Sequence, residues 1–89
     1  MSNYIDPFLV YLPTLDLHGE FVDSALVLID DFIKDNIKLK NYRIVIIHGK
    51  GSSILKNAIH EYLRKDKRIN SYYLDINTGQ TIVELKKNE

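Results

Sequence analysis

From Val22 to Ile37 apolar side chains recur three and four residues apart: Val22, Ala25, Leu26, Ile29, Phe32, Ile33 and Ile37. That period places them on one stripe of a helix predicted over 22–38, with Asp23, Asp30, Asp31, Lys34 and Lys38 on the other side. A second stripe, Ile54, Leu55, Ala58, Ile59, Tyr62 and Leu63, predicts a helix over 53–65 with Ser52 or Ser53 as its cap. Lys56, His60, Glu61, Arg64 and Lys65 fall on its solvent side. The run Tyr42-Arg43-Ile44-Val45-Ile46-Ile47-His48 is continuous and β-branched, which suits a strand buried on both faces. Thr14-Leu15-Asp16-Leu17-His18 alternates and stops at Gly19, so a strand is predicted over 14–18. Two more strands are predicted over 69–76 and 80–86, joined by a turn at Asn77-Thr78-Gly79, where Gly79 can take positive φ. Tyr72 and Tyr73 then face opposite sides of one strand, one toward the core and one able to stack on a base.

The resulting order is β-α-β-α-β-β, an α/β fold: a two-layer sandwich of a mixed four-stranded sheet and two helices. It occupies residues 13–89 behind an arm, residues 1–12, whose Pro7 and Pro13 oppose regular structure while Ile5, Phe8, Leu9 and Tyr11 can lie against the domain. A strand, a helix and a second strand in that order imply a parallel pair. The first two strands both run into His-Gly, at His18-Gly19 and His48-Gly49. If they are parallel neighbours, both pairs lie at one edge of the sheet, where open α/β sheets bind ligands.

Charge and composition narrow the partners. The formal net charge is zero, which argues against a generic polycation. The charges are nonetheless unevenly spread. Residues 1–35 hold seven acids and one lysine, and residues 38–68 hold nine bases and two acids, so a basic face can hide in a neutral total. With no cysteine there is neither a disulfide framework nor a thiolate zinc site. No apolar run approaches the roughly 20 residues that span a bilayer, so no membrane association is expected, and with no cysteine a cytoplasmic setting is the simplest expectation. The N-terminus has no basic region before its apolar stretch, which its prolines and Asp6 interrupt, so no signal peptide is expected.

Three groups of residues could carry chemistry. Gly49-Lys50-Gly51-Ser52-Ser53 joins a buried strand to a helix. Glycines admit close backbone approach, and free N–H groups, the helix dipole and the Lys50 charge favour an anion such as a phosphate. The spacing is not that of a Walker loop, and a plain turn explains it equally. Asp16 and His18 lie two apart on a strand and so share a face, where the carboxylate can fix the imidazole tautomer; turn capping and edge packing are the alternative. His18, His48 and Asp16 could also form a His-His-Asp zinc site. His60 reads as a solvated surface histidine.

The same residues resemble a known family. Leu15-Asp16-Leu17-His18-Gly19 resembles the L-D-L-H-G motif of Smr (small MutS-related) domains. His48-Gly49-Lys50-Gly51 resembles that family's H-G-x-G motif, and Thr81-Ile82-Val83-Glu84-Leu85 its closing strand. The resemblance runs from about Thr14 to Leu85 with the motifs in order. It implies a compact α/β fold similar to the C-terminal domain of bacterial initiation factor three, DNA or RNA binding, and in several members nicking or RNA endonuclease activity. Asp16 and His18 match the motif linked to nuclease activity, and His48, Gly49 and Gly51 the second motif, with Lys50 at its variable position. Two departures stand out. The family often has a longer glycine-rich loop where this chain has Asn77-Thr78-Gly79, and the domain usually ends a larger protein.

Together these features predict a nucleic-acid-binding endonuclease. Phosphate would sit at Gly49, Lys50, Gly51, Ser52 and Lys56. His18, oriented by Asp16, would activate the nucleophile, and His48 would stabilise charge or protonate the leaving oxygen. In RNA the nucleophile would be the neighbouring 2′-hydroxyl. In DNA it would be water, helped by Mg2+ or Mn2+ held partly by Asp16. The alternatives are a non-catalytic module that docks nucleic acid or a ribosomal surface, and a protein-interaction domain with structural histidines.

Overall fold

The computed structural model describes residues 12–51, 53–75 and 78–87; residues 1–11 of the arm and Ser52 lie outside them. The elements in chain order are β1 (Thr14–Asp16), α1 (Val22–Lys38), β2 (Arg43–Ile47), α2 (Ser53–Lys65), β3 (Ile69–Asp75) and β4 (Gln80–Leu85). Both helices keep the bounds that their apolar stripes predict, because burial of a stripe fixes a helix along its whole length. α1 stops at Lys38 because Lys40 adopts a left-handed φ of 62° and its N–H turns back to the Ile37 carbonyl at 3.0 Å.

The strands form one sheet in the order β1-β2-β4-β3. β1 and β2 are parallel neighbours with Asp16 opposite Ile47, while β4 runs antiparallel to both β2 and β3. β2 is therefore central, as its β-branched run requires, and Ile44, Val45 and Ile46 are all buried. Ile44, Ile46, Val83 and Leu85 face Ala25, Ile29 and Ile33 of α1 and Leu55, Ile59 and Leu63 of α2, so both helices share one side of the sheet. Ile54, assigned to the α2 stripe from its spacing, is instead exposed. On the helix-free face Tyr73 accepts a 3.0 Å hydrogen bond from Arg43, while Tyr72 packs on the core.

β1, β2 and β4 are shorter than their sequence patterns suggest, and at β1 and β2 the reason bears on function. β1 ends at Asp16, not His18. Leu17 still donates to Ile47 at 2.7 Å, but the His18 N–H turns to the Asp16 carboxylate at 3.2 Å and the chain leaves the sheet through Gly19 at φ 79°. β2 ends at Ile47 because the His48 and Gly49 amides both donate to the single carbonyl of Gly79, at 3.0 and 2.9 Å.

The layers are clamped at one corner by Arg68. Its guanidinium donates to Asp30 of α1 at 2.8 Å, to Asp66 at 2.9 Å and to the Tyr62 hydroxyl of α2 at 3.2 Å. Asp66 is nearly buried, and these bonds hold its carboxyl below the usual carboxylate range. Arg68→Ala leaves the nearly buried Asp66 carboxylate without its cation, while Asp30 keeps Lys34 at 2.9 Å. It is expected to lower stability by about 2 kcal/mol, read as a shift in the urea midpoint at constant slope. A midpoint within error of the parent would show that solvent replaces the clamp.

Candidate active site

The parallel register brings the ends of β1 and β2 together at one edge. An ideal Cβ on Gly49 would stand 3.4 Å from the His18 Cβ, so the two His-Gly turns touch. Beside them the Asp16 Oδ1 receives the His18 Nδ1 at 2.6 Å. The pairing does not arise from alternation along a strand, since His18 lies past the end of β1. It arises because one carboxylate oxygen accepts both the His18 backbone N–H and its ring N–H, which folds the histidine back over the aspartate. Both side chains are open to solvent, 71% for His18 and 52% for Asp16. The hydrogen bond to Asp16 raises the His18 pKa above its ordinary value, and the same bond lowers that of Asp16. With Nδ1–H held by the carboxylate, Nε2 is the nitrogen presented outward, the arrangement a general base needs.

The Gly49-Lys50-Gly51 turn is shaped by Gly79. Gly49 has a φ of 92° and Gly79 a φ of 66°, values that favour glycine. A Cβ on Gly79 would fall 2.6 Å from the Gly49 carbonyl carbon and 2.7 Å from the Lys50 nitrogen. Gly79 therefore lies flat against the Gly49–Lys50 peptide while its own carbonyl holds the Gly49 N–H. Lys50 and Gly51 are exposed, and Lys56 is half-buried on α2.

His48 takes a different place from the one expected. Its exposure is 2%, its Nε2 lies 2.9 Å from the Thr81 hydroxyl, and its Nδ1 lies 3.1 Å from the Gly49 carbonyl. Both nitrogens are engaged within the protein, so His48 does not present an acid to a leaving oxygen. His60 is not a solvated surface residue either. It is half-buried, its Nε2 lies 2.7 Å from the same Thr81 hydroxyl, and its ring packs on Tyr72 at 5.1 Å and on the edge of His48 at 5.9 Å. Burial pushes the pKa of both histidines down, and Lys56 adds to the effect. Sequence reasoning placed Thr81 in the closing strand but gave it no role. The signal was its parity with Val83 and Leu85, which places a hydroxyl on the core face of a central strand.

His18, His48 and Asp16 do not converge as metal ligands, and no group of three His, Cys, Asp or Glu side chains with that geometry occurs among the described residues. The basic residues, too, are distributed otherwise than the sequence suggests. Lys34, Lys38, Lys67, Arg68, Lys86 and Lys87 surround a groove of about 570 Å3 at the far end of the sheet, past the C-terminus of β4, whereas the His-Gly edge lies at its N-terminus. No helix among the described residues is long and apolar enough to cross a membrane.

The family model of the Smr domain matches residues 15–86. The endonuclease MutS2 of Geobacillus sp. (strain WCH70) is 37% identical over 76 residues, which is 81% of this chain and 10% of that protein. The endonuclease MutS2 of Symbiobacterium thermophilum is 37% identical over 79 residues, 84% of this chain and 10% of that protein. The chain thus spans about a tenth of the length of the curated relatives it matches. Among solved structures, the Smr domain of Thermus thermophilus MutS2 superposes with a TM-score of 0.79 at 33% identity, covering 84% of this chain and 99% of that one. YdaL, a stand-alone small MutS-related protein from Escherichia coli, has a TM-score of 0.74 at 23% identity, covering 83% and 64%, and it shares the fold.

Proposed function

Because the chain belongs to the Smr domain family, we propose that it is a nucleic-acid-binding endonuclease whose work is done at the His-Gly edge, and that its substrate is RNA. One observation carries this reading: the exposed Asp16–His18 pair standing against the Gly49–Gly51 turn, a base beside an anion receptor. The curated relatives are named as endonucleases, which agrees with it.

Mg2+ is usually held by one or two carboxylates together with waters and substrate phosphate oxygens. Here Asp16 supplies one carboxylate, and its Oδ1 is already committed to His18. A Mg2+ or Mn2+ arriving with the substrate phosphate would be held partly by Asp16 and would there polarise a phosphoryl oxygen. RNA is favoured over DNA because it carries its own nucleophile beside the scissile phosphate, so the imidazole base and the turn suffice. His18 Nε2 takes the 2′-hydroxyl proton, and the 2′-oxygen attacks the adjacent phosphorus. The 5′-oxygen leaves and takes a proton from water. The products are a 2′,3′-cyclic phosphate and a 5′-hydroxyl. The turn's backbone N–H groups and the Lys50 ammonium receive the charge that builds on the phosphoryl oxygens. Lys56 would add longer-range attraction from α2.

The test is cleavage of labelled single-stranded RNA, structured RNA and duplex DNA, with magnesium, with manganese and with a chelator. Chelator-resistant cleavage of RNA to cyclic phosphate ends is expected. Cleavage confined to DNA, or lost in chelator, would replace the mechanism. Binding without cleavage of any of the three would leave a docking module for nucleic acid or a ribosomal surface.

Binding has its own prediction. Lys50→Ala should weaken RNA affinity and reduce the slope of log K against log salt by up to about 0.7, the value for one phosphate contact on a single strand. The melting temperature should hold, because Lys50 is exposed. An unchanged slope would remove Lys50 from the phosphate contact.

A further inference from the structure

The Thr81 hydroxyl sits between two imidazole nitrogens, His48 Nε2 at 2.9 Å and His60 Nε2 at 2.7 Å. A hydroxyl has one proton to give. Thr81 is fully buried, and these two nitrogens are its side-chain partners among the described residues. One nitrogen must therefore accept from Thr81 and the other must donate to it. The other end of His48 decides which. Its Nδ1 faces the Gly49 carbonyl at 3.1 Å, and a carbonyl can only accept. His48 Nδ1 thus carries the hydrogen, and burial keeps the ring neutral, so its Nε2 is bare and accepts from Thr81. His60 Nε2 must then donate. The chain is directed: His60 to Thr81, Thr81 to His48, His48 to the Gly49 carbonyl.

The last bond sets the turn. A peptide is planar and trans, so its C=O and N–H point to opposite sides. Turning the Gly49 carbonyl in toward His48 turns the Lys50 N–H away from it, while Gly79 holds the face of the same peptide.

We propose that His60, on α2, is a positioning residue for the Gly49–Gly51 turn. By donating to the Thr81 oxygen it keeps the Thr81 proton on His48 Nε2, the one order in which the Gly49 carbonyl retains its His48 donor, and so supports the orientation in which the turn presents its amides to a phosphate. The phosphate half of this rests on the function proposed above; the hydrogen-bond half does not. Without His60 the Thr81 hydroxyl is free to point elsewhere and its oxygen can accept from His48 Nε2. That reversed order strips the hydrogen from Nδ1 and sets a bare nitrogen against the Gly49 carbonyl, which loosens the turn. Glutamine keeps an N–H donor at the place of the His60 Nε2; leucine does not.

The experiment uses the full chain. Long-range nitrogen–proton correlation spectra of the parent should identify His48 as the Nδ1–H form and His60 as the Nε2–H form; His48 found as Nε2–H overturns the proposal. In His60→Leu the Gly49 amide should exchange with solvent about tenfold faster, while Val83 in β4 keeps its parent rate and so reports that the domain as a whole is not loosened. His60→Gln should restore Gly49 exchange. Affinity for a labelled single-stranded RNA should fall roughly fivefold in His60→Leu and recover in His60→Gln. Unchanged Gly49 exchange in His60→Leu, or equal acceleration at Val83, overturns the positioning role. If the parent binds no RNA while Gly49 alone is accelerated, the link from His60 to the turn stands and the function proposed for the turn fails.

Discussion

His18→Ala is expected to lower RNA cleavage by about 10²–10⁴-fold, the usual share of a general base, while RNA binding stays at the parent level. The separation follows from geometry. The Gly49–Gly51 turn is held by Gly79 and His48, neither of which needs the His18 ring. Asp16→Asn should lose most of the activity as well. The double variant should be little worse than His18→Ala, because the carboxylate acts through the imidazole it orients. The pH profile adds a sign. A base works only when neutral, so the rate should rise with pH through the His18 pKa. Asp16 holds that pKa above its ordinary value by stabilising the imidazolium. Removing the charge in Asp16→Asn should therefore move the rising limb to lower pH, even as the plateau falls. The check is single-turnover cleavage across pH 5 to 9 on parent and variants. Parent-rate cleavage by His18→Ala would put the activity elsewhere. A limb that moves to higher pH in Asp16→Asn would show that some other group titrates.

How far such a site can be read from sequence depends on what holds each part. The helices were legible at both ends because a stripe such as Ile29, Ile33 and Ile37 repeats the same burial signal each turn. The edge was legible because strand, helix and strand imply a parallel pair, and the register sets Asp16 opposite Ile47. The roles of individual histidines were not. His18-Gly19 and His48-Gly49 look alike in sequence, yet one ring is 71% exposed and the other 2%. What separates them is β4. It pairs with β2 and not with β1, so only His48 meets a hydroxyl from a neighbouring strand. His60 was hidden for a related reason. Helical spacing put it on the polar side, but it flanks Ile59, and Tyr72 of β3 covers its ring. Both depend on strand order, which local patterns do not encode.

That dependence is strongest at Gly79, and the largest stability effect is expected there. Gly79→Ala meets two obstacles at once. Its φ of 66° is one that a Cβ residue adopts at a cost of about 1–2 kcal/mol. Its Cβ would also fall 2.6 Å from the Gly49 carbonyl carbon and 2.7 Å from the Lys50 nitrogen, both backbone atoms that no rotamer change can move. Gly19 separates the two effects. Its φ is 79°, but nothing lies within 4 Å of the added carbon. Gly19→Ala should thus cost only the backbone share, about 1 kcal/mol. Gly79→Ala should cost about 3 kcal/mol or more, because β4 must withdraw from the turn and the Gly79 carbonyl must release the His48 and Gly49 amides. Against the roughly 4–13 kcal/mol typical of a domain this size, that is a large fraction of the total. Urea denaturation of the two variants side by side measures the difference. RNA binding should follow it, falling much further for Gly79→Ala than for Gly19→Ala under conditions where both remain folded. Equal destabilisation by the two alanines would mean that the turn yields to the added carbon, and that Gly79 is required for its φ alone.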